Sequence, residues 1–257
     1  MPHFKLPDTH ILISSFLLLS FFTASCGIFD SDDSDDDFED GISVDIREFI
    51  DDQTLSILED SLKMPIHRGD SPPDVMSVLG SDNSGRESEI QSDDLEGRTV
   101  VMSPMQMVET LVPGEEPGDR SFVDTYFRMR NLDMDNLTID IDRGQVVAET
   151  ATGAGGYIIG DDMEFTIFAE LEQDRDGDVV VISEVFSGEV TPDGIQDPHL
   201  AIIILDDADR DDVIPEGTGR SFDDGQQFAE LTEWPEDFEV EETDESVEKL
   251  EIIQIRR

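Results

Sequence analysis

Apolar and polar residues alternate with a period of two along much of the chain after residue 98. Leu137 to Ile141 follows this alternation, and Met163 to Leu171 follows it through Phe165, Ile167 and Ala169. Such alternation is typical of a β-strand with one face on a core and the other in solvent. Further strands are predicted over residues 99–107, 122–129, 145–149, 157–160, 179–190, 200–205 and 252–255, each bounded by Gly, Asp, Asn or Pro.

The number and spacing of these segments predict a mostly β domain. Eight or nine short strands separated by turn residues fit a single antiparallel β-barrel of the calycin type or a β-sandwich. The helical crossovers that a parallel sheet requires are missing from the pattern. Residues 43–257 are long enough to enclose one core, and they carry an acidic, serine-rich loop or insertion near 74–97.

Two short helices are predicted beside the strands. Asp51 or Asp52 can cap the first helix, because a side-chain oxygen at that position satisfies a free backbone N–H group. That helix places three leucines on one face: Leu55, Leu58 and Leu62. The second helix is predicted over residues 223–232.

The N-terminus has the features of a bacterial export signal. Lys5 precedes an apolar run from Ile11 to Phe22, which fits the central region of a signal peptide and is too short to span a membrane. Thr23-Ala24-Ser25-Cys26 follows and resembles the lipobox of bacterial lipoproteins, with Thr23 where leucine is usual. The resemblance implies that residues 1–25 are a lipoprotein signal peptide and that Cys26 carries lipid, a diacylglyceryl group with a fatty acyl chain such as palmitate.

Cys26 is the only cysteine in the sequence. Once it is acylated, no thiol is left for a disulfide, a thiolate metal site or a cysteine nucleophile. Residues 26–42 include the run DSDDSDDDFED at 30–40, which cannot bury apolar surface and is predicted to be a disordered acidic tether. Such runs after a lipidated cysteine resemble the surface-export signals of Bacteroidota lipoproteins, which implies an outer-membrane or cell-surface location.

The chain is strongly acidic. It has 64 acidic and 16 basic residues, a formal net charge of −48, and its lysines are Lys5, Lys63 and Lys249. Salt shortens the Debye length from about 8 Å near 0.15 M to about 3 Å near 1 M and so weakens the repulsion among these charges. We therefore expect a halophilic bacterium as the source. Nucleic acid is excluded as a partner, because binding to phosphates requires clustered Lys and Arg.

Several short segments resemble uncharacterised lipoproteins of the Bacteroidota. They are Leu58-Glu59-Asp60-Ser61, Met64 to Gly69 followed by Pro72-Pro73, Gly155 to Gly160 leading into Phe165 to Phe168, Ser187 to Val190 with Gly194-Ile195, and Gly219 to Gly225. Residues 74–95 intervene where those relatives continue directly from the double proline, which agrees with an inserted loop. The resemblance implies an exported, mostly β domain and carries no catalytic residues onto this chain.

Few residues are candidates for catalysis. His67 and His199 are the histidines outside the predicted signal peptide. They could share a metal ion, but both flank proline-containing turns and are interpreted as surface residues. The chain has no Gly-x-Ser-x-Gly nucleophile elbow. We therefore assign no catalytic residue.

The segment Asp174-Arg175-Asp176-Gly177-Asp178 resembles half of a calcium loop. Its acids alternate and its glycine permits a turn, so Asp174, Asp176 and Asp178 are weak candidates for Ca²⁺ ligands. Ser183 stands where the bidentate glutamate of such a loop is expected, and the segment lies between two predicted strands. A hairpin turn without metal is the preferred interpretation, and apart from lipid on Cys26 no cofactor is predicted.

Three further features have structural interpretations. The glycines of Gly153 to Gly156 lack the following helix of a dinucleotide-binding loop and are interpreted as a tight turn or a close approach of strands. Trp234, the only tryptophan, is interpreted as a packed core or rim residue. The acidic residues at 206–212 are expected to form a solvated loop, with a weak site for a hard cation as the alternative.

These features predict a lipid-anchored exported protein that acts as a binding or interaction module. Its partners are the membrane, through the lipid, and a small-molecule, glycan or protein ligand. The alternatives are an extracellular hydrolase acting on a polymer such as a glycan, and a structural component of the envelope. A closed barrel with an apolar cavity favours the first function. An open groove lined by aromatic and acidic residues favours the second, and a sandwich without a cavity favours the third.

Overall fold

The computed structural model of the chain describes four ranges: residues 38–81, 97–118, 121–145 and 149–238. Several predicted features lie outside the described residues: the signal peptide 1–25, Cys26, most of the tether, most of the insertion near 74–97 and the strand at 252–255.

Short elements precede the main sheet. β1 (Phe38–Glu39) and β2 (Ile42–Ser43) form an antiparallel pair, and α1 (Val44–Phe49) follows directly. α2 (Asp52–Ser56) continues into a π-helical turn over Ile57–Ser61. An extended segment then leads to α3 (Val75–Val78).

The rest of the described chain is almost entirely β-structure. All of its strand pairings are antiparallel. The strands of the described ranges are β3 (Arg98–Met102), β4 (Met105–Thr110), β5 (Ser121–Phe122), β6 (Thr125–Asp133), β7 (Thr138–Gln145), β8 (Glu149–Asp161), β9 (Glu164–Arg175), β10 (Asp178–Thr191), β11 (Gly194–Asp206), β12 (Gly219–Asp224) and β13 (Phe228–Thr232).

These strands close into a ring. Each strand pairs with the next in the order β3, β6, β7, β8, β9, β10, β11 and β13, and β13 returns to β3. The ring is an antiparallel β-barrel whose wall is extended by β12, β4 and β5. The predicted mostly β, antiparallel fold with short helices is therefore confirmed.

Two wall strands bend at the same level of the barrel. The chain bends at Ser103-Pro104, a cis peptide bond between β3 and β4, and at residues 225–227 between β12 and β13. Asp224 joins the two bends, because its carboxylate accepts the Ser103 N–H at 2.6 Å and the Gln226 N–H at 2.7 Å. A buried carboxylate bonded in this way fixes the bend of both strands.

The helix predicted over residues 223–232 is wrong. This segment contains the end of β12 and the whole of β13. Ala229 is fully buried and pairs with Ile195, while Glu230 pairs with Val101 of β3. A short apolar run does not distinguish helix from strand, and here pairing with β11 and β3 determines the outcome.

Alternate residues of the strands fill the barrel interior. Phe127 and Phe186 stack there with ring centroids 4.7 Å apart, and Phe165 packs against Phe186 edge to face. Val75 and Leu79, in and just after α3, are fully buried against this core. α3 lies at the end of the barrel where β10 turns into β11, since the Gly80 N–H donates to Pro192 O at 2.8 Å. One end of the barrel is thus closed by a helix.

A second core lies on the outer face of the barrel. α1, α2 and the π-helical turn pack their apolar side chains against outward-facing residues of β8 to β11. Asp51 caps α2 as predicted, because its Oδ1 accepts the Thr54 N–H at 2.6 Å. The predicted helical face is also confirmed: Leu55, Leu58 and Leu62 are buried.

The glycines at 153–156 lie within β8 and allow neighbouring strands to approach closely. A Cβ atom on Gly153 would stand 2.3 Å from Leu171 Cδ2, and one on Gly156 would stand 2.7 Å from Phe168 O. The interpretation as a close approach of strands is therefore confirmed, and β8 carries a register shift between Thr152 and Tyr157.

Among the described helices, none has both the length and the apolar composition required to cross a bilayer.

Candidate functional site

The barrel contains a cavity of about 480 Å³ at the end opposite α3. The first inward residues of β10, Val180 and Ile182, line it, whereas α3 contacts the turn after the end of that strand. Apolar side chains such as Leu200, Ile202 and Phe222 form much of its wall. Its volume lies within the range of about 300 to 1,000 Å³ that is usual for small-molecule pockets.

Three arginines line the cavity: Arg143 of β7, Arg175 of β9 and Arg220 of β12. The whole sequence has 16 basic residues, so this concentration of positive charge is unusual for the chain. Gln145 and Gln173 also line the cavity and add amide groups. The cavity therefore combines apolar walls with hydrogen-bond donors.

Arg143 forms an ion pair with Glu184 across the barrel interior. Arg143 Nε lies 3.4 Å from Glu184 Oε2, and the two residues are 8% and 1% exposed. Their strands, β7 and β10, are not neighbours in the sheet. Within the described part of the chain, neither carboxylate oxygen of Glu184 accepts a hydrogen bond. The pair is thus an electrostatic contact that leaves both carboxylate oxygens of Glu184 without a hydrogen-bond donor among the described residues.

Burial raises the pKa of Glu184 to about 7, and the positive charge of Arg143 offsets this only in part. The residue lies between apolar neighbours, because it pairs with Ala169 on β9 and Ile202 on β11. Loss of hydrating water destabilises the charged carboxylate by more than the attraction of one arginine stabilises it. Glu184 can therefore exchange a proton near neutral pH.

At the mouth of the cavity, Arg220 is held by Glu115 in a two-point contact. Arg220 Nε and Nη2 donate to Glu115 Oε2 and Oε1 at 2.9 and 2.6 Å. The guanidinium also lies 5.8 Å from the ring centroid of Phe122. Arg175 Nε donates to Gln173 Oε1 at 2.9 Å. Both mouth arginines are therefore engaged by neighbouring side chains.

The loop between β11 and β12 covers part of the mouth. Val213 and Ile214 of this loop line the cavity and pack against the inner core. Arg210 fastens the loop to the β9–β10 turn, since its Nη1 donates to Arg175 O at 2.7 Å and to Asp178 Oδ2 at 3.0 Å. Asp211 and Asp212 of the acidic segment 206–212 therefore line the cavity, while most of the segment forms the expected exposed loop.

The candidate calcium residues form a hairpin turn, as preferred in the sequence interpretation. Asp174 Oδ1 accepts the Gly177 N–H at 2.9 Å, while Asp176 and Asp178 lie 3.7 and 3.0 Å from Arg210. Two of the three carboxylates thus face a guanidinium. In the described ranges no group of three or more His, Cys, Asp or Glu residues is placed to hold a metal ion.

The two histidines lie on the outer face of the barrel. The His67 N–H donates to Thr166 Oγ1 at 2.8 Å, and His67 Nδ1 lies 3.3 Å from Glu164 Oε2. Burial lowers the pKa of His199, and a charge on the nearby His67 adds a smaller lowering. The sequence interpretation as separate surface residues missed this proximity.

His199 is flanked in the sheet by Ser187 on β10 and Asp223 on β12. These three residues form a row across neighbouring strands, and they are of the types found in a hydrolase triad. Ser187, however, is fully buried, and its hydroxyl has no hydrogen-bond partner within the described residues. A nucleophile requires a bond to its base and access to substrate, so we assign no catalytic role to this row.

Trp234 packs on the outer wall near the C-terminal end of the described chain, as a rim residue. Arg128 lies over its ring at 4.5 Å, and Phe238 packs against it edge to face. Arg128 in turn contacts the buried Asp142, which also binds Arg130. The prediction of a packed core or rim residue is confirmed.

Sequence reasoning missed Arg143 and Glu184. A signal was present, because both interrupt an alternating apolar series: Ile139, Ile141 and Arg143 in one strand, and Val180, Ile182, Glu184 and Phe186 in the other. A charge at an inward position of a barrel strand is expensive unless it is paired. That rule identifies both residues as members of an interior polar site.

No protein-family model, no curated protein and no solved structure matches this chain.

Proposed function

We propose that this protein is a lipid-anchored, exported binding protein that holds a small molecule in the barrel cavity. The observation that supports this proposal best is the cavity of about 480 Å³ with apolar walls and three arginines. Small-molecule sites typically combine an apolar lining with a few placed polar groups. A closed barrel with an apolar cavity is the feature expected of a binding module, and here three arginines add to the apolar walls.

The polar groups of the cavity are suited to orienting a ligand. Arg143 lines the cavity, and Glu184 lies beside it inside the barrel without a hydrogen bond between them, while Val213 and Ile214 line the cavity from the β11–β12 loop. A buried donor or acceptor that lacks a partner costs free energy. A ligand that supplies those bonds would therefore recover part of this cost on binding.

The alternative of an extracellular hydrolase has less support. It would require converging carboxylates with altered pKa values. Glu184 has a raised pKa, but the charged group that acts on it is Arg143 rather than a second carboxylate. The alternative of a structural envelope component does not account for a cavity with interior charges.

Binding is tested with a neutral naphthylamine dye whose fluorescence rises in apolar surroundings. We expect saturable binding to the purified protein and loss of binding in Ile202→Trp, which fills the cavity. Leu205→Trp is the matched control, because Leu205 lies on the same strand and is 39% exposed. Absence of saturable binding to the wild-type protein would refute the proposal.

Anchoring is proposed from the sequence features around Cys26, together with surface exposure through the acidic run that follows it. Two or more lipid chains suffice for stable attachment to a bilayer. Expression in the native host should yield a precursor that accumulates in the presence of globomycin. Protease treatment of intact cells should then remove the domain. A Cys26→Ser variant that stays membrane-bound would argue against the anchor.

A further inference from the structure

We infer that the ligand is an amphipathic acid whose apolar body fills the cavity and whose carboxylate binds Arg143, while Glu184 takes up a proton from solvent. This inference rests on the proposed function and specifies its ligand class. It follows from the positions of two side chains inside the barrel and from the way the other cavity arginines are engaged.

Arg143 is the cavity arginine best placed to receive a carboxylate. A guanidinium carries five N–H donors in a fork that matches a carboxylate. Arg143 lines the cavity, and its contact with Glu184 is an ion pair at 3.4 Å rather than a hydrogen bond. Its donors are therefore the ones that a ligand head group can use at the least cost.

The arginines at the mouth are less suitable for this role. Arg220 already makes two short bonds with the carboxylate of Glu115. Arg175 bonds to Gln173 and lies 3.8 Å from Asp212. A ligand carboxylate at the mouth would have to displace these partners and would also approach Asp211 and Asp212, which line the cavity there. The interior position beside Arg143 avoids this competition.

Glu184 determines the net charge of the barrel interior when an acid binds. If both carboxylates stayed ionised beside one arginine, the interior would hold an excess negative charge away from water, which is costly. Because the pKa of Glu184 is about 7, the residue can be neutralised at little cost. On binding, the Glu184 carboxylate takes up one proton from solvent and becomes a neutral carboxylic acid. The ligand carboxylate is bound as an anion. No covalent bond other than the new O–H bond is made or broken.

The charged groups around this position come from several elements. Arg143 faces Glu184 from β7, and the strands that flank Glu184 place apolar residues opposite it. Arg143 lines the cavity, and the other charged residues that line it are Arg175 from β9, Arg220 from β12, and Asp211 and Asp212 from the loop. Asp212, with its pKa lowered by Arg210, remains ionised near neutral pH. Glu184 is therefore a carboxyl group beside the cavity whose proton exchange falls near pH 7.

The test is displacement of the naphthylamine dye by decanoate, decanol and decylamine, which share a chain length and differ in head group. We expect decanoate to displace the dye at least about tenfold better than the other two, in line with a charge-assisted hydrogen-bonded contact. Calorimetry in buffers of different ionisation enthalpy should show uptake of a proton with decanoate at about pH 8. Both measurements use the wild-type protein, so their results do not depend on whether a variant folds.

Variants assign the effect to the two residues. Arg143→Gln should weaken decanoate about tenfold and keep dye binding, whereas Arg68→Gln, which removes an equal charge from the Glu59 pair on the surface, should change neither. Glu184→Gln should abolish proton uptake and make decanoate affinity independent of pH between about 6 and 8.

The outcomes separate the two proposals. Equal displacement by decanoate and decanol, or tighter binding of decanol, would overturn the assignment of an acid while dye binding still supports the cavity function. Stronger binding of decylamine would mean that Glu184, and not Arg143, receives the head group. Failure of the dye itself to bind would overturn the proposed function and the inference with it.

Discussion

Arg143 and Glu184 oppose each other across the interior of the barrel, with Nε and Oε2 3.4 Å apart and no hydrogen bond on either carboxylate oxygen within the described residues. They come from strands that do not touch in the sheet. A buried ion pair of this kind costs more in desolvation than a surface pair and contributes little net stability. Because a gain in stability does not explain why this pair lies in the core, we assign it a role in binding.

The titration of Glu184 should appear in the stability of the protein. Its pKa rises from an ordinary 4.5 to about 7 on folding, so the native state binds more protons than the unfolded state between these values. Stability should therefore fall by about 3 kcal/mol as pH rises from about 4.5 to about 7. Urea unfolding of wild type and Glu184→Gln should show this difference in slope. Parallel curves for the two proteins would contradict the raised pKa.

Asp224 should be important for the bends of the barrel wall. It accepts the backbone N–H groups of Ser103 and Gln226 while only 1% exposed. Asp224→Ala should lower the free energy of unfolding by about 2 to 4 kcal/mol, because two partly buried backbone donors lose a charged acceptor that is itself buried. Asp162→Asn, at an exposed turn, is the control and should be nearly neutral. An equal effect of both substitutions in chemical denaturation would exclude the role assigned to Asp224.

Gly156 should tolerate no side chain. A Cβ atom there would lie 2.7 Å from Phe168 O and 3.0 Å from Ile139 O, both backbone atoms. Gly156→Ala should therefore destabilise the barrel by about 1 to 3 kcal/mol. Gly155→Asn is the matched control, since nothing lies within 4 Å of a Cβ there and asparagine accepts its φ of 74°. Thermal unfolding of the two variants distinguishes them, and a Gly156→Ala protein as stable as wild type would refute this packing.

Arg210 should control the loop at the cavity mouth. It bonds to Asp178, Asp212 and Arg175 O, which joins the loop to the β9–β10 turn. In Arg210→Gln we expect faster amide hydrogen exchange over residues 207–218 and faster release of bound dye, with equilibrium stability little changed. Arg68→Gln is the control for loss of charge. Unchanged exchange in the loop would show that Arg210 does not hold it.

Salt should stabilise the protein if its acidic surface is an adaptation to brine. With a net charge of −48, repulsion is reduced as the Debye length falls to about 3 Å near 1 M salt. The melting temperature should rise from about 0.1 to about 2 M sodium chloride. Sucrose of equal osmolality serves as the uncharged control. A melting temperature that stays constant or falls with salt would contradict the prediction of a halophilic source.

The sequence predicted these strands well because a half-buried strand has apolar residues at every second position, and this alternation is visible in the sequence. Leu137 to Ile141 and Met163 to Leu171 both lie in or overlap strands with inward apolar residues. The capped helix after Asp51 was also predictable, since its signals are local. Residues 223–232 were not, because their partners on β3 and β11 are distant in the chain.

The candidate site was less predictable for a related physical reason. Alternation shows that Arg143 and Glu184 share a face with apolar residues, but it does not show which strands face each other across the interior. That arrangement depends on the closure of the ring by β10 and β11. The same closure placed Val213 and Ile214 over the mouth, in a loop that composition alone describes as acidic and solvated.

Closure of the ring also sets the route by which a guest enters and leaves. Because β10 pairs with β11 along most of their length, these two strands do not separate without loss of most of a hydrogen-bonded ladder. Exchange between the interior and the medium should therefore proceed by local opening of the loop end, far below the free energy of global unfolding. Residence time and overall stability would then be separate properties, each open to adjustment without change in the other.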